Sequence, residues 1–352
     1  MSKKPLILGI ESSCDETAAS LITENEEGFP VVLSNIVSSQ VEVHREFGGV
    51  VPELAARSHI EKIDWIVKKA IDESGRKIEE IDAVASTAGP GLIVCLSVGL
   101  SFGKAFATAM NKPFIAVNHL EGHALSPKLN TNLNYPYLLL LISGGHSQYL
   151  SVQNLGKYKR LGTTIDDALG EAFDKTAKLL GIEFPGGPQI EILAKKGDPE
   201  KYDLPKPIFS KGGCNLSFAG LKTAVLKISK TIKSEQDKYD LAASFQKTIE
   251  EILYKKTKIA FTEFEKINEL NEKIFVVAGG VAANKKIRSM LINLCEEKNY
   301  KSIFPPIEFC GDNAAMIAMV GLEKFKINQF DDLDYPAKPR WPLDEDAAFL
   351  KG

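Results

Sequence analysis

The fold is decided by LILGIESSCDETAASLI, from Leu6 to Ile22, and by YLLLLISGGHSQYLSV, from Tyr137 to Val152. Each stretch is a short apolar run, a small polar turn and a second apolar run, a pattern that predicts strand, turn and strand. The two copies begin about 130 residues apart. A unit that is repeated at the length of a domain indicates two related α/β lobes.

Strands and helices alternate along the rest of the chain. Apolar residues at steps of three and four predict helices over Glu53–Ala70, Leu92–Met110, Leu241–Phe264 and 282–297. Short apolar runs predict strands at Ile81–Thr87, Pro113–Val117 and Lys273–Ala278. Such alternation predicts α/β layers with parallel strand pairing.

Composition excludes several classes of protein. The chain has 43 Lys and Arg against 46 Asp and Glu, a net charge of −3, with 44% hydrophobic and 25% charged residues. These values are typical of a globular protein, and they exclude a collagen, a coiled coil, a disordered chain and a polycation that coats nucleic acid. The five cysteines are odd in number and contain no CxxC pair, which argues against a disulfide framework or a cysteine-rich zinc site.

No stretch is typical of a signal peptide or a membrane span. The apolar run Leu6–Ile10 is too short for a signal peptide. The most apolar window, Leu92–Met110, is interrupted by serines, a lysine and glycines, which favours a buried helix. We therefore expect a cytoplasmic protein with no membrane partner.

Positive charge is concentrated between Lys201 and Lys238, where eight lysines stand against three acidic residues. A charged run of this kind is most often a solvated surface. It is also suited to contact with phosphate groups. The sequence leaves both interpretations open.

Two histidines are spaced for metal binding. His119 and His123 lie in the stretch NHLEGH, and a spacing of i, i+4 puts both imidazoles on one face of a helix. A zincin protease has the motif H-E-x-x-H, whereas here Leu120 follows the first histidine and Glu121 leaves the helix on a different side. The spacing weakens the protease hypothesis, and a purely structural role for the histidines stays open.

A third metal ligand is offered by Asp312, at the predicted start of an apolar helix. An aspartate in that position is also a common helix cap. Two histidines and one carboxylate would leave coordination positions open on the metal. That favours catalysis or substrate binding over a structural metal.

Three turns of small residues are suited to an anionic ligand. They are Ser143-Gly144-Gly145, Pro185-Gly186-Gly187-Pro188 and Gly279-Gly280-Val281-Ala282-Ala283-Asn284. Glycines let backbone N–H groups approach an anion, and a helix start adds a favourable dipole. None of the three is a P-loop or a complete G-x-G-x-x-G motif, but together they favour a nucleotide-like ligand.

These motifs and several others, taken in order, resemble the tRNA N6-adenosine threonylcarbamoyltransferase family. The matching motifs are GIESSCDET from Gly9, NHLEGH from Asn118, SGGH from Ser143, GEAFDK from Gly170, PGGP from Pro185, SFAGLKT from Ser217, GGVAAN from Gly279 and DNAA from Asp312. The resemblance covers residues 6 to 342.

The resemblance implies an α/β fold of the actin-like ATPase type, with two ribonuclease H-like lobes around a central cleft. It places the first lobe at residues 1–132 and the second at 133–312, with a segment at 313–336 that returns to the first lobe and a surface tail at 337–352. It also implies an enzyme of tRNA modification, an acyltransferase. The group transferred would be threonylcarbamoyl, from threonylcarbamoyl-AMP to N6 of adenosine 37 in tRNAs that read codons starting with A, with release of AMP.

The same resemblance implies which residues form the site. His119, His123 and Asp312 would hold one divalent metal per subunit, iron in the family with zinc as the alternative. The expected contacts to the adenylate are Leu141, Ile142, Ser143, Gly144, Gly145, Asp174, Gly187, Glu191 and Asn284. The expected partners besides tRNA and threonylcarbamoyl-AMP are a TsaB-like paralogue and a TsaE-like ATPase.

The implied reaction limits what the residues must do. A carbamoyl-AMP is an activated mixed anhydride, so the enzyme needs positioning and charge neutralisation more than a nucleophilic side chain. We expect the metal to polarise the threonylcarbamoyl group, and Glu11 to orient the attacking amine or close the site. The segment Lys201–Lys238 and Arg340 are candidates for contact with tRNA. Two alternatives remain, a non-catalytic actin-like ATP-binding scaffold and a metalloprotease.

Overall fold

A computed structural model describes residues 4–348, which form two compact units. Unit 1 contains residues 4–133 and 305–345, and unit 2 contains residues 134–304 and 346–348. Each unit is built around one five-stranded sheet.

The strands and helices follow the chain in this order. The strands are β1 (Ile7–Glu11), β2 (Glu16–Glu24), β3 (Pro30–Ser39), β4 (Ala83–Gly89), β5 (Phe114–Asn118), β6 (Tyr137–Ile142), β7 (Ser147–Asn154), β8 (Lys157–Thr163), β9 (Ile274–Ala278) and β10 (Lys301–Ile303). The α-helices are α1 (Val41–His44), α2 (Pro52–Ser74), α3 (Ile93–Ala109), α4 (His119–Leu125), α5 (Leu169–Leu179), α6 (Gly186–Ala194), α7 (Ala219–Ser229), α8 (Glu235–Ile267), α9 (Lys285–Lys298) and α10 (Ala314–Lys326).

The sheet of unit 1 has the strand order β3-β2-β1-β4-β5. Strand β2 pairs antiparallel with both of its neighbours, whereas β1, β4 and β5 run parallel. Strand β1 is buried along its whole length because helices cover both faces of the sheet. Its side chains alternate, so that Leu8 and Ile10 lie in the core against α2 and α3, while Gly9 meets α10 on the other face.

The sheet of unit 2 repeats this topology as β8-β7-β6-β9-β10. Strand β7 is antiparallel to β6 and β8, and β6, β9 and β10 run parallel. Three strands in antiparallel order followed by two parallel strands are common to both units. The prediction of two related α/β lobes from the repeated strand-turn-strand pattern is therefore confirmed.

The third strand of each sheet was not predicted. Strand β3 is mostly half-buried or exposed, and β8 reads KYKRLGT with charged residues on its open face. Both are edge strands that cover little apolar surface, so their sequences lack the apolar runs that marked the central strands.

The division into units differs from the predicted boundaries at the C-terminal side. Residues 305–312 and 337–345 pack with unit 1, where the prediction assigned 305–312 to the second lobe and 337–352 to a separate tail. The first difference follows from α10, which lies against β1, β2 and β4 and holds the preceding loop in the same unit.

The segment after α10 is held to unit 1 by contacts with the sheet and with α3. The backbone N–H of Lys338 donates to the carbonyl of Ala88 at 2.7 Å, and the ammonium of Lys104 donates to the carbonyl of Tyr335 at 2.6 Å. The side chains of Tyr335 and Trp341 pack against the core. The predicted surface position of residues 349–352 lies outside the described residues.

Within residues 4–348, none of the helices has both the length and the apolar character needed to cross a bilayer. The apolar window that suggested a buried helix became α3, which packs on α2 and on β4.

Candidate functional site

One edge of the sheet in unit 1 gathers the polar residues of the site. Strands β1, β4 and β5 are parallel, so their carboxyl ends lie at the same edge. Glu11 is the last residue of β1, Thr87 lies near the end of β4, and His119 follows β5 directly. Sites in α/β folds commonly lie at this edge, because polar turns follow the strands there.

Helix α4 begins with the first of the two spaced histidines. The side chain of Asn118 caps the helix by accepting from the backbone N–H of Leu120 at 2.9 Å. One turn of helix then separates His119 from His123, as the i, i+4 spacing predicted. The two imidazole centroids are 4.8 Å apart, and their planes are nearly perpendicular.

The structure brings Asp312 to both histidines. Asp312 Oδ1 lies 3.1 Å from His123 Nε2 and 3.5 Å from His119 Nε2. One ligand atom from each of the three residues falls within 4.8 Å of the other two. The histidine side chains are buried, whereas that of Asp312 keeps 24% of its surface exposed. The three residues predicted as metal ligands are thus close together, with one of them open to solvent.

The position of Asp312 depends on the packing of α10 against β1. An added Cβ on Gly9 would lie 2.5 Å from the carbonyl oxygen of Ala314 and 2.6 Å from the nitrogen of Ala318. Only glycine at this point of the strand lets the helix approach so closely. The side chain of Asn313 caps α10 by accepting from the backbone N–H of Met316 at 3.0 Å. Helix and loop are therefore fixed directly above the strand that ends in Glu11.

Glu11 is completely buried and bonds three groups of unit 1. Its Oε2 accepts from Thr87 Oγ1 at 2.6 Å and lies 3.0 Å from His119 Nδ1, while Oε1 accepts from the backbone N–H of Ser13. The hydroxyl of Ser13 also lies 3.2 Å from His119 Nδ1. The sequence prediction was that Glu11 orients the attacking amine or closes the site, and that role stays a prediction. Its actual partners are protein groups that surround it.

The charges of the site favour an ion pair in the metal-free protein. Although burial disfavours the imidazolium of His119, the carboxylates of Asp312 and Glu11 raise the pKa of His119 to about 9. Burial also opposes the charge of Glu11, but the charge and hydrogen bond of His119 lower the pKa of Glu11. The two carboxylates therefore favour the protonated form of His119, whereas a metal ligand must be the neutral imidazole.

The donor set fits a divalent metal. The Nε2 atoms of both histidines approach the same carboxylate oxygen, and this convergence is what a shared cation would use. His123 Nδ1 is buried without a hydrogen-bond partner among the described residues, so no protein group competes for that imidazole from the opposite side. Nitrogen and oxygen donors of this kind suit iron and zinc equally.

Glu121, which lies between the two histidines in the sequence, forms an ion pair with Lys324. It is buried, and its carboxylate lies 3.4 Å from the ammonium of Lys324, which also donates to the carbonyl of Ala116 at 3.1 Å. This pair ties α4 to α10. A glutamate in that pair is not placed as the water-activating base of a zincin, as the spacing predicted.

The predicted adenylate residues of unit 2 cluster around the carboxyl ends of β6 and β9. Leu141 and Ile142 are buried in β6, and the turn that follows them is closed by Ser143, whose Oγ accepts from the backbone N–H of His146 at 3.1 Å. Gly144 and Gly145 are exposed, and an added Cβ would meet nothing within 4 Å at either position. This turn therefore has open space beside its backbone.

Three of the other predicted adenylate residues hold neighbouring turns in place. Asp174 Oδ1 accepts from the backbone N–H of Gly186 at 2.8 Å. Glu191 Oε1 accepts from the backbone N–H of Lys285 at 3.0 Å. Asn284 caps α9 through its Oδ1 and donates from Nδ2 to Gln246 at 3.0 Å. Gly187 is half-buried at the start of α6. These contacts give each side chain a structural role, and contact with an adenylate stays a prediction.

The lysine-rich segment covers α7 and the chain on both sides of it. From Leu204 to Ser234 the sequence has six lysines and no acidic residue. Lys222, Lys227, Lys230 and Lys233 are exposed, and none of the four forms an ion pair within residues 4–348.

Sequence reasoning missed two groups beside the first histidine: Ser13, whose hydroxyl lies 3.2 Å from His119 Nδ1, and Thr87, whose hydroxyl donates to Glu11. Thr87 was predicted only as the end of a strand, and Ser13 only as part of a polar turn. The available signal was position, because polar residues at the carboxyl ends of parallel strands face one edge of the sheet.

Comparison with known proteins identifies relatives over the whole chain. A family model described as TsaD, tRNA N6-adenosine threonylcarbamoyltransferase, matches residues 31–319. A curated protein of that name from Pelagibacter ubique (strain HTCC1062) is 81% identical over 352 residues, which is 100% of this chain and 99% of the relative. Another, from Rickettsia conorii, is 54% identical over 342 residues, which is 96% of this chain and 98% of the relative.

Solved structures share the fold at low identity. HypF from T. kodakarensis matches with a TM-score of 0.62 and 13% identity, over 93% of this chain and 48% of that chain. Component A of (R)-2-hydroxyglutaryl-CoA dehydratase from Acidaminococcus fermentans matches with a TM-score of 0.51 and 13% identity, over 91% of this chain and 98% of that chain. These likenesses concern the fold alone, which is the α/β fold of the actin-like ATPases with two ribonuclease H-like units.

Proposed function

This chain belongs to the tRNA N6-adenosine threonylcarbamoyltransferase family, and we propose from that membership that it transfers threonylcarbamoyl to N6 of adenosine 37 in tRNA. It is an enzyme, an acyltransferase of tRNA modification. The observation that carries the proposal is the 81% identity with a protein of that name over 100% of this chain. The tRNAs concerned would be those that read codons starting with A.

The donor in this proposal is threonylcarbamoyl-AMP. A bond forms between N6 of the adenosine and the carbamoyl carbon, the bond from that carbon to the phosphate oxygen breaks, AMP leaves, and N6 loses one proton. Because the donor is already activated, the protein has to bind and orient the two substrates and neutralise charge on the leaving phosphate. No nucleophilic side chain is required.

The proposed metal ligands are His119, His123 and Asp312, which would hold one divalent ion, iron or zinc. The support is their grouping, with three ligand atoms within 4.8 Å of one another. When bound, such an ion supplies Lewis-acid polarisation to an oxygen of the donor. The residues themselves would fix its place at the carboxyl edge of the sheet in unit 1, and the partly exposed Asp312 leaves that place open to a ligand.

The AMP part of the donor is proposed to bind in unit 2, at the glycine turn after β6. The support is the open space beside Gly144 and Gly145, where an added Cβ would meet nothing within 4 Å, in a glycine turn of the kind that binds anions through its backbone. Asp174, Glu191 and Asn284 would serve this site by holding the turns at the starts of α6 and α9. Leu141 and Ile142, both buried, would contribute by placing the turn.

The tRNA is proposed to contact α7 through its lysines. With a net charge of −3, the chain attracts a polyanion only where positive charge is local. The 31 residues from Leu204 to Ser234 contain six lysines and no acidic residue, and Lys222 and Lys227 in α7 and Lys230 just after it are exposed. Arg340, which is exposed in unit 1, is a further candidate.

A charge-reversal series tests this tRNA surface. Changing Lys222, Lys227 and Lys230 to Glu is expected to lower tRNA affinity and to reduce the slope of log K against log salt by about 1 for each phosphate that is no longer neutralised. The matched control changes Lys157, Lys159 and Lys195, which are exposed lysines elsewhere in unit 2, by the same total charge. An unaltered slope in the first variant, or equal slopes in both, removes α7 from the proposal.

The proposed helper proteins are a TsaB-like paralogue and a TsaE-like ATPase. The docking surface proposed for one of them is the apolar groove between α2 and α3 of unit 1, where Ile60 and Val94 are exposed. Pull-down of purified helpers by the chain with Ile60→Glu and Val94→Glu tests this, and retention equal to that of the unchanged chain contradicts it. The proposed location of all these proteins is the cytoplasm.

Reconstitution is the direct test of the function. The purified chain, tRNA, threonine, bicarbonate, ATP and the helper proteins are combined, and nucleosides are analysed by mass after digestion. Appearance of threonylcarbamoyladenosine only when the chain is present supports the proposal, and its absence with active helpers overturns it. The protease and scaffold alternatives have no specific observation in their favour.

The metal has a test of its own. His119→Ala and His123→Ala are each expected to lose the ion, measured by elemental analysis of the purified protein. His44→Ala is the matched control, because His44 is also a buried histidine of unit 1 with two hydrogen bonds. Unchanged metal content in the first two variants refutes the ligand assignment.

A further inference from the structure

We propose that Glu11 is a positioning residue, which holds the imidazole of His119 so that Nε2 faces the metal. The inference rests on the metal site of the proposed function and adds a residue to it. It differs from the sequence-based expectation that Glu11 orients the attacking amine or closes the site.

The two nitrogens of His119 face different carboxylates. Nδ1 lies 3.0 Å from Glu11 Oε2, and Nε2 lies 3.5 Å from Asp312 Oδ1. A metal-binding imidazole that donates its other N–H to a carboxylate is fixed in tautomer and orientation, and it becomes a stronger ligand. In this proposal Glu11 orients the imidazole of His119, and His119 and Asp312 are both ligands of the metal.

Glu11 is itself held too firmly to serve a moving substrate. Its side chain is 1% exposed, and it accepts from the hydroxyl of Thr87 at 2.6 Å and from the backbone N–H of Ser13. Its backbone belongs to β1, which pairs with β2 on one side and β4 on the other. A carboxylate enclosed in this way contacts tRNA only if the edge of the sheet opens.

The second histidine ligand has no comparable support. His123 Nδ1 is buried and lacks a hydrogen-bond partner within residues 4–348, so packing alone orients that ring. The sequence thus provides one carboxylate-supported histidine and one histidine placed by the helix. Loss of Glu11 is expected to release the first ring only.

Metal affinity, measured apart from transfer activity, is the test. Zn²⁺ binding to the full chain is titrated against a chromophoric chelator for Glu11→Gln, Glu11→Ala and Thr87→Val. Loss of an orienting partner typically weakens metal binding by about 10-fold to 100-fold. We expect that loss for Glu11→Ala and a smaller one for Glu11→Gln, whose amide oxygen can still accept from Nδ1. Thr87→Val, which removes one of the bonds that hold this carboxylate but keeps the carboxylate itself, is expected to weaken zinc binding less than Glu11→Ala does.

A spectroscopic reading separates positioning from general stability. The Co²⁺-loaded protein absorbs in the visible range according to its ligand geometry, so Glu11→Gln is expected to shift that spectrum, and Thr87→Val is expected to shift it less. Unchanged zinc affinity and an unchanged cobalt spectrum in both Glu11 variants overturn the proposal. Equal losses in Glu11→Ala and Thr87→Val also overturn it, since both would then reflect folding.

The two proposals fail in different ways. If His119→Ala and His123→Ala keep their metal, the metal site itself is wrong. If those variants lose metal but Glu11→Gln binds it as well as the unchanged chain, only the positioning role of Glu11 is wrong. Glu11→Gln keeps the volume of the side chain, which keeps the test usable if Glu11→Ala does not fold.

Discussion

Replacement of Gly9 by alanine is expected to disturb the proposed metal site without changing any of its proposed ligands. The new methyl group would lie 2.5 Å from the carbonyl oxygen of Ala314 and 2.6 Å from the nitrogen of Ala318, and both are backbone atoms of α10. Since neither can rotate away, the helix must move off β1 and carry the loop of Asp312 with it.

The size of the effect follows from overpacking in a buried layer. Such insertions typically cost about 1–3 kcal/mol. For a unit of this size, 1 kcal/mol lowers the melting temperature by about 2–4 °C, so we expect a fall of about 2–12 °C. Zinc affinity should fall as well, because Asp312 would be displaced from His119 and His123.

Thermal melting and chelator competition measure the two effects. Gly49→Ala is the matched control in the same unit, because an added Cβ there meets nothing within 4 Å. This variant makes the same glycine-to-alanine substitution and is expected to leave the melting temperature and the zinc affinity unchanged. If Gly9→Ala melts and binds zinc like Gly49→Ala, the close packing of α10 on β1 does not position Asp312.

Three further predictions concern the same unit. Since the folded pKa of His119 is about 9 against ~6.5 in the unfolded chain, its stabilising proton is fully present below pH 6.5 and lost as the pH rises towards 9. The free energy of unfolding of the metal-free protein, measured by chemical denaturation, should therefore fall by up to about 3 kcal/mol between pH 6.5 and 9. If a His119→Gln variant shows the same fall over this pH range, His119 is not its source. Lys324→Met should lower the free energy of unfolding by about 3–5 kcal/mol, because the buried carboxylate of Glu121 loses the ammonium group paired with it. Adding Glu121→Gln should recover part of that loss. A double variant that is no more stable than Lys324→Met argues against the pair. Asn313→Ala should lower the free energy of unfolding by about 1 kcal/mol, because the backbone N–H of Met316 loses its capping acceptor. Urea unfolding measures this, and an unchanged urea midpoint would mean that the cap does not stabilise the start of α10.

Sequence patterns sufficed for the central strands and the long helices. The run Tyr137–Ile142 was predicted as a buried strand and is β6, and the periodic residues of Glu53–Ala70 lie in α2. Burial imposes a strong apolar signal on such elements. Edge strands such as β3 carry no such signal, because half of their surface meets solvent.

The residue types of the candidate site could be predicted from the sequence, but the residues that hold them in position could not. The spacing of His119 and His123 indicates a shared face as soon as the stretch is helical. The approach of Asp312 depends on Gly9 and α10, which are distant in sequence and meet only through tertiary packing. The role of Glu11 depends on the registers of β1 and β4, which no local pattern reveals.

The return of the chain to unit 1 has a consequence for biosynthesis. Residues 134–304 make up nearly all of unit 2, so the ribosome must synthesise them before it adds the segment that begins at Pro305 and contains Asp312 and α10. Until then the nascent first unit lacks α10, which covers one face of β1. His119 and His123 also lack Asp312, the carboxylate that lies beside them in the finished fold. If these residues hold an ion as proposed, all three can contact it only after the chain has been synthesised past Asp312, long after both histidines.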